Sequence, residues 1–299
     1  MVKLSGFTFI RNAASFDYPV VESISSILPI VDEFIVNIGP DNDGTTALIH
    51  SIGSPKVKII HSQWNPNLTT GAYIYAQQTN IALFNCTGKW AFYLQADEVI
   101  HHDDLPAILS YIDQYIDDDK VDGLAFTELS FWGDYRTVVN VYPQRKRRRC
   151  RIIKPHHFVL SRGDAAGFTV HPKYKERGRR LRVIDTEIRL FHYCSVKSEK
   201  AMKEKVRTVS TYWGENESMQ SDPDLYHHIP RKFVAPYGGT HPKVMSDRIS
   251  KHPVSIDLSS PRWRTQMTWE ERWRLMKTMW VENITDRFSG RGSYKLVRK

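Results

Sequence analysis

Trp90-Ala91-Phe92-Tyr93-Leu94-Gln95-Ala96-Asp97-Glu98-Val99-Ile100 is an apolar run that ends abruptly in two adjacent carboxylates. An unbroken apolar stretch of this length, without polar alternation, suits a strand buried on both faces. Burying it carries Asp97 to the edge of the core, where an unpaired carboxylate is costly. Two arrangements satisfy that carboxylate. It can accept hydrogen bonds from turn amides, or it can help hold a hard cation, since Mg²⁺ and Mn²⁺ take one or two carboxylates with water and phosphate oxygens.

Upstream of this run, strands and helices alternate. Leu4-Ser5-Gly6-Phe7-Thr8-Phe9-Ile10 reads as a buried strand, and residues 18–28 place Val20, Val21, Ile24, Ile27 and Leu28 at helical spacing before Pro29. Phe34-Ile35-Val36-Asn37-Ile38 is a second strand, followed by a helix near 45–51. Val57-Lys58-Ile59-Ile60 is a third strand, and 71–84 reads as a helix before the strand at Trp90. Such alternation predicts an α/β fold with a largely parallel sheet and right-handed crossovers. Ligands bind such sheets at the carboxyl ends of the strands. Arg11-Asn12, Asp41-Asn42-Asp43 and Gln95-Ala96-Asp97-Glu98 each follow a strand at that edge.

The 299 residues carry 42 Lys and Arg against 33 Asp and Glu, a net charge of +9 that favours an anionic partner: nucleic acid, a phosphorylated ligand or an acidic membrane surface. The 41% hydrophobic and 25% charged fractions exclude a disordered or collagenous chain. No stretch has the length of a spanning helix or a signal peptide, so the expected compartment is cytoplasmic, with the inner face of the membrane as a place of contact. Cys86, Cys150 and Cys194 lack CxxC spacing and are expected to be reduced structural or surface thiols.

Beyond residue 122 the pattern is mixed. Gly123-Leu124-Ala125-Phe126-Thr127 and Cys150-Arg151-Ile152-Ile153 read as strands, and Arg182-Val183-Ile184 leads into an alternation ending at Arg189-Leu190-Phe191-His192-Tyr193. Residues 199–212 are helical in pattern, and 214–262 are rich in proline and read as loops. Thr268 and Glu271 form a capping box for a last helix striped with Trp269, Trp273, Met276, Trp280, Ile284 and Phe288. The predicted organisation is one domain over 1–212, with a nucleotide-binding half (1–105) and an acceptor half (106–212). Residues 213–299 form a loop-rich and helical extension packed on it. Packing is the first expectation for the tryptophan stripe, and peripheral membrane contact the second.

The order and spacing of these segments resemble glycosyltransferase family 2. Residues 31–45 (Val-Asp-Glu-Phe-Ile-Val-Asn-Ile-Gly-Pro-Asp-Asn-Asp-Gly-Thr) are similar to that family's second strand and D-G-T turn. Gln77-Gln78-Thr79-Asn80 and Gly88-Lys89-Trp90 resemble the segments before its acidic motif, and Leu94-Gln95-Ala96-Asp97-Glu98-Val99 stands at the DxD position. Gln95 replaces the first Asp of DxD, and Gly39 stands where many members carry Asp. Phe131-Trp132-Gly133-Asp134-Tyr135, Arg151-Ile152-Ile153, Asp164-Ala165-Ala166-Gly167-Phe168, and His192-Tyr193 followed by Lys197 and Met202, resemble a bacterial subgroup of about this length.

The resemblance implies a GT-A fold: a Rossmann-like mixed, mostly parallel sheet flanked by helices. It implies hexosyl transfer (EC 2.4), inverting, from a UDP- or GDP-type sugar to a glycan or lipid-linked acceptor, in surface polysaccharide or lipopolysaccharide assembly. The donor would meet Phe9, Arg11, Asn12, Asp41, Asp43, Gln77, Asn80, Gln95, Ala96 and Asp97. A divalent cation, Mn²⁺ or Mg²⁺, would sit on Asp97 and His192. Inversion needs a general base on the acceptor hydroxyl; Asp164 is the first candidate, with Glu187, Glu128 and Asp185 as alternatives. Two other classes stand beside this one: a nucleotide-binding protein that lost catalysis, prompted by Gln95, and a nucleic-acid-binding protein, prompted by the basic run at 145–149. No recognisable nucleic-acid module accompanies that run.

Overall fold

The protein was studied as a computed structural model, which describes residues 3–139, 147–171, 178–214, 226–227, 229–251, 255–284 and 294–297. The first half follows the alternation: β1 (Leu4–Ile10), α1 (Val20–Ile27), β2 (Glu33–Ile38), α2 (Thr45–His50), β3 (Val57–His61), α3 (Tyr73–Phe84) and β4 (Trp90–Tyr93). Next come β5 (Glu98–Ile100), α4 (Leu105–Tyr115), β6 (Gly123–Trp132), β7 (Thr137–Val139), β8 (Arg147–Ile153), β9 (Val159–Arg162) and β10 (Gly167–Val170). The chain continues through β11 (Arg182–Ser195), α5 (Glu199–Trp213), β12 (Val234–Pro236), α6 (Ser246–Lys251), α7 (Trp269–Ile284) and β13 (Lys295–Leu296).

The sheet runs β12-β7-β6-β8-β4-β1-β2-β3, with β11 on the other side of β6. Strands β3, β2, β1 and β4 are all parallel, whereas β8 runs antiparallel between β4 and β6. The central strands are apolar because both faces are covered: every residue of β2 and β4 is buried. On one face α1, α2 and α4 supply Ile24, Ile49 and Ile108 to the core. On the other, α3 packs Ala82 and Leu83 beside the β9–β10 hairpin. The one acidic residue of β2, Glu33, is satisfied by Lys58, Ser5 and Thr87.

Two expectations change. The segment beyond 212 is not loop and helix alone: β12 extends the sheet on β7, and β13 pairs with β11. The tryptophan stripe of α7 does not pack, for Trp269, Trp273, Met276 and Trp280 are all exposed. Among the described side chains of that helix, the partly buried ones are Glu271 and Leu275, about half a turn away from the stripe. The capping box is formed, Thr268 N–H donating to Glu271 and Glu271 N–H to Thr268 Oγ1. The side chain of Ile284 and all of Phe288 lie outside the described residues. Among the described residues no helix is long and apolar enough to cross a membrane.

Candidate active site

Because β1 and β4 are parallel neighbours, the residues that follow them emerge at one edge of the sheet. Arg11 and Asn12 follow β1, and Gln95, Ala96 and Asp97 follow β4. Together they floor a cleft of about 990 Å³ of empty space, open mouth included. Asn12 holds a left-handed backbone (φ 58°), a conformation an asparagine adopts more readily than most residues. The far wall is α5, which contributes Lys205, Thr208, Val209 and Tyr212.

The acidic turn is fastened to β11. Residues of β5 pair antiparallel with β11, and the Tyr193 N–H donates to the Asp97 carbonyl at 2.8 Å. His192 and Cys194, two apart on that strand, therefore present their side chains on the face toward Asp97. Asp97 Oδ1 lies 3.6 Å from His192 Nε2, and its Oδ2 lies 3.4 Å from Lys205 Nζ. Lys205 also donates to the Cys194 sulfur at 2.9 Å and carbonyl at 3.2 Å. On its other nitrogen, His192 Nδ1 stands 3.5 Å from Glu128 Oε1, and Glu128 in turn is held by Arg149.

Charge is concentrated here. Burial opposes ionisation of Asp97, but Lys205 and His192 outweigh it and hold the carboxyl well below its usual range. Burial likewise opposes the Cys194 thiolate, yet Lys205 and His192 bring the thiol down to about 6. Lys197, buried next to the site with its ammonium on the Phe16 carbonyl, is pushed down to about 7 by burial and by Lys205. Asp97, His192 and Cys194 offer donor atoms that all lie within 4.8 Å of one another. Two ligands about 2.1 Å from a tetrahedral ion stand roughly 3.4 Å apart, close to the 3.6 Å between Asp97 Oδ1 and His192 Nε2. The residues thus fit a divalent ion.

Next to this charged end the cleft is aromatic. Phe9 stacks on Tyr75 at 5.7 Å, and Trp64 meets Tyr75 and Tyr212 edge-on at 5.9 and 5.5 Å. The Arg11 guanidinium lies over Trp64 at 5.2 Å and donates to the Tyr212 hydroxyl at 2.7 Å. Among the described residues, the buried Arg11 Nε and Trp64 Nε1 have no hydrogen-bond partner. Gly39 is explained by this wall: a Cβ there would stand 2.5 Å from Trp64 Nε1. The indole occupies the space that a side chain at 39 would need.

Of the residues singled out from sequence, Phe9, Arg11, Asn12, Gln95, Ala96, Asp97, Asp164 and His192 line this one cleft. The others do not. Asp41 is exposed and accepts hydrogen bonds from the amides of Asp43, Gly44, Thr45 and Thr46, while Asp43 receives Thr45 and the Ser15 N–H. Both carboxylates are spent folding the turn before α2. Gln77 points to solvent, and its buried neighbour Gln78 bonds Asn37 and Ser62 instead. Asn80 clasps the Ser161 backbone on β9. Glu187 is exposed on β11 and lies off the cleft lining, Asp185 pairs with Arg148, and Glu128 sits behind His192.

The second carboxylate of the turn is also structural, since Glu98 is buried against Arg151. Arg145 and Lys146 lie outside the described residues, as does the Arg147 side chain. Arg148, Arg149 and Arg151 are each committed to an internal carboxylate. Sequence missed Lys205, Trp64, Tyr75 and Tyr212, and it placed Cys194 among the reduced structural or surface thiols. Alternation along β11 puts Cys194 on the face of His192, a signal that could have found it. The loop position of Trp64 carried none.

No protein-family model matches the chain, and no curated protein matches it either. Solved structures do. S. aureus TarS 1–349 bound to UDP-GlcNAc is similar at 14% identity, over 73% of this chain and 69% of that one, with a TM-score of 0.40. The chain spans 39% of the longer S. aureus TarS structure. The mannosyltransferase PcManGT from Pyrobaculum calidifontis, in complex with GDP-Man and Mn²⁺, is similar at 12% identity, over 69% of this chain and 61% of that one, with a TM-score of 0.42. Glucosyl-3-phosphoglycerate synthase from Mycobacterium tuberculosis, with Mn²⁺, UDP-Glc and glycerol 3-phosphate, matches 43% of this chain and 44% of its own at 15% identity and a TM-score of 0.30.

Proposed function

We propose that this chain is a family 2 glycosyltransferase that moves a hexose, with inversion, from a nucleoside-diphosphate sugar to a hydroxyl of a glycan or lipid-linked acceptor. One observation carries this reading: a single cleft at the carboxyl edge of the parallel strands joins an aromatic wall to a charged end fit for a cation. Phe9, Trp64, Tyr75 and Tyr212 offer flat faces to a base. A diphosphate reaching the other end meets the Lys205 ammonium and the Asp97–His192 pair.

A divalent ion held by Asp97 and His192 would supply Lewis-acid stabilisation to the departing diphosphate. Asp164 lines the cleft in the β9–β10 turn, beside Ala165 in a left-handed conformation (φ 60°). It is our candidate base: its carboxylate takes the acceptor O–H proton as the oxygen attacks the anomeric carbon and the carbon–diphosphate oxygen bond breaks. Lys205 and Arg11 face the charge that builds on the leaving group. We place the activity in surface polysaccharide or lipopolysaccharide assembly, with the exposed α7 stripe against the inner face of a membrane.

The test is a thermal-shift panel of UDP-, GDP- and dTDP-sugars with and without Mn²⁺, followed by donor hydrolysis. A ligand at a hundred times its Kd adds about 2.7 kcal/mol, enough to move the transition by several degrees. A panel in which no nucleotide sugar shifts the transition would sink the reading.

A further inference from the structure

We propose that Cys194 is a metal ligand, and that Asp97, His192 and Cys194 together form an oxygen–nitrogen–sulfur site selecting a thiophilic divalent ion such as Zn²⁺ or Co²⁺ over Mg²⁺. The proposal rests on the cleft being the donor site described above and names the ion that site prefers.

The three donors are placed by backbone. His192 and Cys194 stand two apart on β11, and Asp97 is bonded to that strand through its own carbonyl. Their donor atoms lie within 4.8 Å of one another. The second nitrogen of His192 faces the buried carboxylate of Glu128 at 3.5 Å. That is the outer partner a metal-bound imidazole uses to fix its orientation. Charge is also matched, because a carboxylate and a thiolate with a neutral imidazole cancel a divalent ion. Three protein donors leave a fourth position open toward the cleft, as catalytic sites do. A thiolate favours zinc- and cobalt-type ions, whereas Mg²⁺ prefers oxygen ligands and keeps its water. Lys205 now bridges the sulfur and Asp97 Oδ2. Its long stem lets the ammonium withdraw into the cleft when an ion takes its place.

The experiment titrates the full chain with cobalt(II) chloride alone and reads the near-ultraviolet thiolate-to-cobalt charge-transfer band. The expected result is a saturable band with one-to-one stoichiometry in the native protein, absent in Cys194→Ser. Cobalt, and zinc after it, should raise the melting temperature where equal Mg²⁺ does not. Cobalt bound without the band, a band that survives in Cys194→Ser, or no binding at all each overturns the proposal. Circular dichroism of Cys194→Ser checks that the variant is folded. UDP- and GDP-sugars run with saturating Mn²⁺, and again in EDTA, separate the two claims. A nucleotide-sugar shift without the cobalt band removes the thiolate ligand and leaves the transferase reading standing. A cobalt band with no nucleotide-sugar shift does the reverse.

Discussion

The guanidinium of Arg151 grips Glu98 at both oxygens, 2.8 and 2.5 Å away, with both side chains almost wholly buried. This fork removes the second carboxylate of the acidic turn from the cleft and leaves Asp97 alone at its edge. Removing one partner of such a pair strands a buried charge, which costs about 3–5 kcal/mol. Arg151→Met should therefore lower stability by that order in urea unfolding, and the double variant Glu98→Gln/Arg151→Met should recover much of it. Equal losses in the single and double variants would refute the pairing.

Asp97→Asn keeps the shape of the side chain and removes its charge. Donor turnover should fall by about 10²–10³-fold, the scale of losing one well-placed electrostatic group. The protein should remain folded by circular dichroism. Turnover at the native level would remove Asp97 from the site.

Gly39→Ala places a methyl 2.5 Å from the Trp64 indole nitrogen and forces the ring aside. A lost aromatic stacking contact with a base is worth about 1–3 kcal/mol, so nucleotide affinity should drop about tenfold by calorimetry. Trp64→Ala should produce a loss of the same order. Unchanged affinity in both variants would show that the base lies elsewhere.

Glu33 supplies a pH dependence outside the cleft. Burial raises its pKa, but the hydrogen bonds from Lys58, Thr87 and Ser5 outweigh it and bring the carboxyl from 4.5 to about 2. A folded pKa below the unfolded one means stability that is complete above 4.5 and fades as pH falls toward 2. Urea midpoints at pH 7, 4 and 3 should fall less steeply in Glu33→Gln than in the native chain. Parallel slopes would contradict the shift.

The α7 stripe leaves Trp269, Trp273 and Trp280 exposed beside exposed Arg272 and Lys277. Co-sedimentation with vesicles containing phosphatidylglycerol should weaken several-fold in Trp269→Ala/Trp273→Ala and with added salt. Equal sedimentation of both proteins would remove this helix from membrane contact.

The alternating half of the fold was legible because its signals are local. Apolar runs such as those of β2 and β4, with polar turns after them, state both the strands and the edge at which ligands gather. Asp97 and Arg11 were singled out that way, and His192 through the family resemblance; all three line the cleft. What sequence alone could not do was choose among polar residues in equivalent turns. Asp41, Asp43, Gln77 and Asn80 have the right chemistry and neighbourhood, yet each is turned to a backbone amide, a neighbouring turn or solvent. Only the packing of α5 across the sheet edge brought Lys205 and Tyr212 to the cleft, from more than a hundred residues beyond Asp97. A strand's burial is written in its own side chains, whereas a site is a meeting of side chains from distant segments, and the register of β5 on β11 exists only once the sheet has formed.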